Sequence, residues 1–154
     1  MSGAAERLAA LGLTLPPVTA PVAAYVPAVR TGSYVYVSGQ LPVVDGKLPA
    51  TGKVGDAVSA QDAAGMARTC ALNALAAAAD AAGGLDAIVR IVKVLGFVAS
   101  APGFNGQPQV VNGASELLIE VLGEAGRHAR SAVGVAELPL DAPVEVELIA
   151  EVRA

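Results

Sequence analysis

The residues best suited to chemistry lie in the last third of the chain. Arg130 precedes three glutamates, Glu145, Glu147 and Glu151, which share one face of a strand if side chains alternate. A guanidinium group can grip a carboxylate with two parallel hydrogen bonds, and a carboxylate can act as a general acid or base. The same residues also fit a structural role, in which Arg130 forms a salt bridge and the glutamates make the polar face of a strand.

Two other reactive side chains occur once each, His128 and Cys70. His128 titrates near neutrality, but Arg127 and Arg130 flank it and disfavour its charged form, so we expect no catalytic role for it. Cys70 lies among apolar residues of a predicted helix, where a free cysteine usually packs as a small hydrophobic residue. A single cysteine cannot form an internal disulfide, and one histidine leaves little for a transition-metal site, so we expect no metal and no cofactor.

Composition narrows the functional class. The chain has 154 residues, which is the length of one domain, so we expect a single domain over residues 1–154 with an N-terminal extension over residues 1–17. A net charge of −4 and a pI near 4.9 make nucleic acid an improbable partner, because proteins that bind it usually have a basic surface. No signal peptide and no apolar run of membrane-spanning length is present, so we expect a cytoplasmic protein.

Periodicity predicts the elements that must position these residues. Helices are predicted over residues 4–11 and 109–122, with a longer one capped by Ser59 or Asp56 and extending to about residue 82. Strands are predicted over residues 34–38, 88–98, 129–138 and 144–152, with a tight turn at Asp45-Gly46. The resulting fold class is α+β, with two helices packed on one face of a mixed β-sheet. The other face must then meet water, a ligand or another subunit.

Side-chain alternation predicts which residues share a sheet face. Val144, Val146 and Leu148 alternate with the glutamates, and Arg130 alternates with Val133 in the preceding strand. If the turn between the two strands is centred near residues 140 and 141, Arg130 and the glutamates lie on the same side. A slip of one residue would reverse that assignment.

Two segments resemble the RidA (YjgF) family. Residues 34–42, YVYVSGQLP, resemble its strand-plus-SGQxP signature. Residues 129–139, ARSAVGVAELP, followed by VEVE at 144–147, resemble its C-terminal signature. The resemblance extends from about Tyr25 to Val152. It implies a chorismate-mutase-like fold, a homotrimer with ligand pockets between subunits, and hydrolysis of enamines or imines such as 2-aminoacrylate without a cofactor.

The resemblance also assigns site residues. The essential arginine of the family corresponds to Arg130, which would bind the substrate carboxylate, and its acidic residue corresponds to Glu145, which would orient water and transfer a proton. Four positions would shape the pocket and supply hydrogen bonds: Tyr25, Ser38, Asn112 and Ala132. Viewed singly, Ser38 and Asn112 also fit structural roles in bonding nearby backbone, and Tyr25 fits a packing role.

Some features depart from the family pattern. The position of Ala132 is often cysteine in the family, and the loop over residues 104–112 is longer than usual. These differences suggest altered substrate preference. Three alternatives to the deaminase stay open: a non-catalytic subunit that binds small carboxylates, a ribonuclease or translation inhibitor, and a different reaction on the same scaffold.

Overall fold

The computed structural model describes residues 3–18, 21 and 23–154. These residues form three α-helices and five β-strands, in the order α1 (Ala4–Ala10), β1 (Ala28–Thr31), β2 (Tyr34–Gln40), α2 (Ala60–Ala82), β3 (Ile88–Ala99), α3 (Gln107–Leu122), β4 (Ala129–Val135) and β5 (Val144–Val152). Among these residues, no helix combines the length and the apolar character that crossing a membrane requires.

Helix α2 is capped by Ser59, one of the two caps that the sequence offers, and ends at the predicted Gly83. The Ser59 side chain accepts a hydrogen bond from the backbone N–H of Asp62 at 3.0 Å, and Gly83 adopts the left-handed conformation with φ of 87° at the C-terminal end. A serine N-cap satisfies one of the free N–H groups of the first turn, and a glycine takes positive φ without steric cost. The long helix is therefore fixed at both ends by local sequence.

The sheet has the order β1-β2-β5-β3-β4. All neighbours pair antiparallel except β3 and β4, which pair parallel. Helices α2 and α3 cover one face, where the alternate side chains of β5 from Val144 to Val152 are buried. The α+β class and the placement of two helices on one face are thus confirmed.

The two long helices pack closely because glycines lie at their contacts. A side chain on Gly113 of α3 would meet the backbone oxygen of Ala64 of α2, and a side chain on Gly96 of β3 would meet Val111 of α3. Small residues at such positions let helices approach each other and the sheet, which keeps a core of alanine and valine well packed. This approach places the first turns of α3 beside β4.

Two sequence predictions about the middle of the chain have different outcomes. The Asp45-Gly46 turn is confirmed, since both residues have positive φ and Val44 and Lys47 exchange backbone hydrogen bonds at 2.9 and 3.0 Å. The expected long loop over residues 104–112 is wrong in part, because α3 already begins at Gln107. Pro108 near the helix start fits that early beginning, since proline is tolerated in a first turn.

Candidate functional site

The Arg130 guanidinium is held by neutral acceptors of helix α3. Its Nη1 donates to Asn112 Oδ1 at 2.8 Å and to Ser115 Oγ at 3.2 Å, and its Nη2 lies 3.4 Å from the backbone oxygen of Pro108. Throughout the described part of the chain, no carboxylate forms a salt bridge with it. The alternative in which Arg130 pairs with a glutamate of its own chain is therefore wrong, and its positive charge is left for another partner.

The Glu145 carboxylate lies against the backbone of strand β2. It occupies the space that a side chain on Gly39 would need, and Glu145 is aligned with Phe97 of the neighbouring strand β3. Burial, together with the charge of Glu147, raises the pKa of the Glu145 carboxyl. A half-buried carboxyl of this kind retains a proton at higher pH than an exposed one, which suits proton transfer.

Ser38 connects the segment that carries Tyr25 to strand β2. The Ser38 hydroxyl donates to the backbone oxygen of Val26 at 2.7 Å, and its backbone N–H donates to Pro27 at 2.9 Å. Tyr25 itself is 57% exposed. The hydroxyl of Ser38 is thus engaged in holding the segment, while the tyrosine ring lies open to solvent.

Ala132 lies on the edge strand β4. The backbone oxygen of Val135 accepts from Ser100 at 3.1 Å, so Val135 and the residues of the same parity direct their backbone groups towards β3. By alternation the backbone N–H of Ala132 points outward from the edge of the sheet, on the side of β4 opposite to β3. A donor at this position depends on the backbone alone, so alanine in place of cysteine leaves it intact.

The candidate residues form two separate groups within one chain. Arg130 is aligned through Val94 with the buried Leu148, so it lies on the helix-covered face, whereas Glu145 lies on the open face. The prediction that Arg130 and the glutamates share a side is wrong. Strand β3 lies between β4 and β5, so the turn after β4 does not form a hairpin and parity cannot be counted across it.

The distance between the groups is large on the scale of a small substrate. Across the sheet, Arg130 and Glu145 are separated by two strand spacings, about 10 Å. Along the strand direction they are separated by three residues, which adds a second component of about 10 Å. Asn112 and Ser115 accompany Arg130, whereas Ser38 and Gly39 accompany Glu145. One chain therefore carries two half-sites.

The open sheet face is unusually apolar for a surface in contact with water. Four of its side chains are 43–53% exposed, and they lie on three different strands: Val29, Tyr34, Tyr36 and Val133. The same face also carries Glu145, Glu147 and Glu151 on the central strand β5, and exposed apolar side chains around them are typical of a protein interface. The sequence predicted charge and small residues here and understated this apolar character.

The sequence interpretation also missed Ser115 and its contact with His128. Ser115 Oγ lies 2.9 Å from His128 Nε2, and His128 Nδ1 lies 2.6 Å from the backbone oxygen of Gly126. The spacing in the sequence could have indicated this group of residues. Ser115 follows Asn112 by three residues and so lies on the same helix face, and His128 precedes Arg130 by two residues. In the described residues no cluster of three or more His, Cys, Asp or Glu side chains is arranged to hold a metal ion.

Comparison with known proteins identifies the family. The family described as "YjgF/chorismate_mutase-like, putative endoribonuclease" matches residues 5–152. The chain belongs to this YjgF family. Its fold is accordingly the chorismate-mutase-like fold that the two sequence signatures imply.

Individual relatives agree over nearly the whole chain. Protein TCP17 of Trypanosoma cruzi is 44% identical over 97% of this chain and 94% of its own length. Among solved structures, Atu1372 of Agrobacterium tumefaciens has a TM-score of 0.90 and is 48% identical, covering 98% of this chain and 94% of its own. TdcF of E. coli, solved with bound serine, has a TM-score of 0.64 and is 31% identical, covering 88% and 92%.

Proposed function

We propose that this member of the YjgF family hydrolyses enamines and imines of 2-keto acids in pockets assembled from two copies of the chain. The observation that carries the proposal is the Arg130 guanidinium, which is held by neutral acceptors and has no carboxylate partner in the described chain. Such a group is preorganised to bind a substrate carboxylate.

Three hydrogen bonds leave part of the Arg130 guanidinium available. Asn112 and Ser115 accept the hydrogen bonds that Nη1 donates, and the contact with the Pro108 backbone oxygen uses one hydrogen of Nη2. Among the described residues Nε has no acceptor, and Nε and Nη2 lie along one edge of the planar group, which matches the two oxygens of a carboxylate. The binding mode is therefore a bidentate grip from that edge.

Glu145 would supply the proton transfers. In its neutral form, favoured by the raised pKa, it donates a proton to the terminal carbon of the enamine and converts it into the iminium form. The resulting carboxylate then takes a proton from a water molecule as the water oxygen attacks the iminium carbon. After proton transfer to nitrogen the C–N bond breaks, and the products are the 2-keto acid and ammonia.

Both groups can reach one substrate only if two chains meet. Within a chain they lie on opposite sheet faces, so the Arg130 half-site of one copy must adjoin the Glu145 half-site of another. The apolar open face and the outward N–H groups of edge strand β4 support such an association. A homotrimer is the assembly that we propose, with Tyr25, Ser38, Asn112 and Ala132 lining the pockets.

The relative TdcF supports an amino-acid-like ligand. It was solved with bound serine, which carries an amino group next to a carboxylate. The iminium that we propose as the reacting species has the same arrangement, with a carboxylate beside a carbon that bears nitrogen. We therefore expect substrates in which the two groups are separated by one carbon.

The test follows imine loss in a coupled reaction. Threonine dehydratase supplies the four-carbon enamine, and its decay is measured with wild type, Arg130→Ala and Arg130→Lys. We expect wild type to accelerate the decay and Arg130→Ala to lose about a hundredfold in kcat/KM, as expected for two charged hydrogen bonds. Arg130→Lys should recover little, because an ammonium group cannot form the same fork.

Arg127→Ala is the matched control. Arg127 is exposed, pairs with Glu124 at 3.1 Å and lies three residues from Arg130. It should retain wild-type activity. If wild type leaves the decay rate unchanged while threonine dehydratase is active, the deaminase proposal is wrong.

A further inference from the structure

We infer that Ser115 and His128 form a positioning relay that holds the Arg130 guanidinium in its substrate-binding orientation, and that this relay releases the guanidinium when His128 takes up a proton. The inference rests on the proposed role of Arg130 in binding a carboxylate. It assigns a function to two residues that do not contact the substrate themselves.

The directions of the hydrogen bonds follow from the donors present. Arg130 Nη1 is only a donor, so Ser115 Oγ must accept from it at 3.2 Å. Gly126 offers a backbone oxygen at 2.6 Å, so His128 Nδ1 carries the proton and donates to it. In neutral His128 the other nitrogen, Nε2, is then an acceptor, and the Ser115 hydroxyl donates to it at 2.9 Å.

The result is a continuous chain of polarised bonds. It runs from Arg130 to Ser115, from Ser115 to His128, and from His128 to the backbone of Gly126. The final acceptor belongs to the short 3-10 turn Gly123–Gly126, which follows α3 directly. Arg130 is thereby connected to rigid backbone at the end of the same helix whose first turns hold its other hydrogen bonds.

A proton on His128 disrupts this chain. Protonated Nε2 becomes a donor, so the Ser115 oxygen receives N–H groups from both His128 and Arg130, and its own hydrogen loses its acceptor. Two positive charges then meet at one hydroxyl. The structure opposes that state, because burial lowers the pKa of His128, the hydrogen bond to Gly126 partly offsets this, and Arg130 lowers it further.

Other charges near the pair are already engaged or exposed. Two ion pairs lie on the adjoining elements, Arg127 with Glu124 and Glu120 with Arg68. Arg90 donates to the backbone oxygen of Arg127, and Lys93 lies 3.4 Å from Ser131 Oγ. Glu116 is exposed to solvent. Arg130 is therefore the charge that matters most for His128.

The experiment measures carboxylate binding apart from turnover. Calorimetry gives the Kd of 2-oxobutanoate, which stays ionised throughout, between about pH 5.5 and pH 8, a range that includes the usual histidine pKa. The proteins compared are wild type, Ser115→Ala, Ser115→Thr, His128→Gln and Arg130→Ala. Thermal unfolding of each protein checks that the fold is retained.

We expect wild type to bind more weakly in the acid part of this range, at pH values below the unperturbed histidine value of about 6.5, because burial lowers the pKa of His128. His128→Gln should bind within about threefold of wild type at pH 8 and lack most of this acid weakening, because glutamine offers an acceptor that does not titrate. Ser115→Ala should bind about tenfold more weakly, as expected for one lost hydrogen bond to a charged group, and Ser115→Thr should recover most of that loss. Glu145 also titrates in acid, but wild type and His128→Gln share it, so their difference reports on His128.

The outcomes separate the two claims. If His128→Gln keeps the full acid weakening, or Ser115→Ala binds as well as wild type, the relay is wrong even when Arg130→Ala has lost binding. If Arg130→Ala binds as tightly as wild type, the arginine grip itself is wrong. A merely structural role of Ser115 and His128 would lower thermal stability in every variant without changing the pH dependence.

Discussion

Arg130 and Glu145 lie on opposite faces of the same β-sheet, with strand β3 between their strands. The arginine is fixed by Asn112 and Ser115 of helix α3, and the glutamate lies against Gly39 of strand β2. The two groups that we propose for hydrolysis of an imino acid are therefore present in every chain but are not adjacent within it. This separation makes association of chains a condition of the activity that we propose.

A first prediction concerns the open sheet face that would form the interface. Tyr36 lies on strand β2, is 49% exposed and neighbours Val29 and Ile149. Tyr36→Glu places a charge in this apolar surface and should dissociate the assembly, because an unpaired charge is costly in an interface. Light scattering should give about three times 15.2 kDa for wild type and 15.2 kDa for the variant.

Gln61→Glu is the control for Tyr36→Glu, since Gln61 is exposed on the outer helix α2. It adds the same charge away from the sheet and should leave the mass unchanged. A wild-type protein that scatters as a monomer at all concentrations would contradict the interface.

A second prediction concerns the contact between the two long helices. Gly113→Ala forces a methyl group against the backbone of Ala64, so the helices must move apart. We expect a loss of about 1–3 kcal/mol in the free energy of unfolding, as overpacking typically costs, measured by urea denaturation. Gly65→Ala, on α2 with no atom near the added methyl group, should instead gain about 0.5–1 kcal/mol from helix propensity.

A third prediction concerns the charge of Glu145. Its pKa is raised in the folded state, so the folded protein binds this proton more tightly than the unfolded chain does. The resulting stabilisation is full below the unfolded value of about 4.3 and is lost as the pH rises through the folded value. Glu145→Gln removes the penalty for the charged form and should unfold at a higher temperature than wild type at neutral pH.

The difference in unfolding temperature between Glu145→Gln and wild type should shrink towards about pH 4, where wild type is largely protonated. In the imine assay the same variant should lose at least about a hundredfold in kcat, as expected for a lost general acid. Its Kd for 2-oxobutanoate should stay within about threefold of wild type. The control variant Glu147→Gln should keep most of the wild-type activity. An equal loss of activity in both variants would contradict the special role of Glu145.

Local signals in the sequence predicted most of the fold. The Ser59 cap, Gly83 and the Asp45-Gly46 turn each depend on neighbouring residues, and the alternation in β5 directly gives its buried face. Strand order depends on contacts between distant residues. The insertion of β5 between β2 and β3 could not be derived from the turn at residues 139–143, so the relative side of Arg130 was predicted wrongly.

The candidate site was predicted to a smaller extent. The structure brings Asn112 to Arg130, in agreement with their assignment to one pocket, and it brings neither of them to Glu145. Ser115 was overlooked although its spacing from Asn112 places both on one helix face, and His128 was expected to have no catalytic role because its neighbours in sequence are cations. Its contacts with Ser115 and Gly126 arise only when α3 packs beside β4.

The most direct test of the central claim mixes two inactive variants. Arg130→Ala and Glu145→Gln are co-expressed in equal amounts with different affinity tags, and mixed oligomers are purified by both tags in turn and assayed for imine loss. If each pocket takes its arginine from one copy and its glutamate from the next, every mixed trimer has one wild-type pocket in three. We predict recovery of about that fraction or more of wild-type kcat, with each variant alone inactive. Mixed oligomers as inactive as the separate variants would contradict a pocket assembled from two copies.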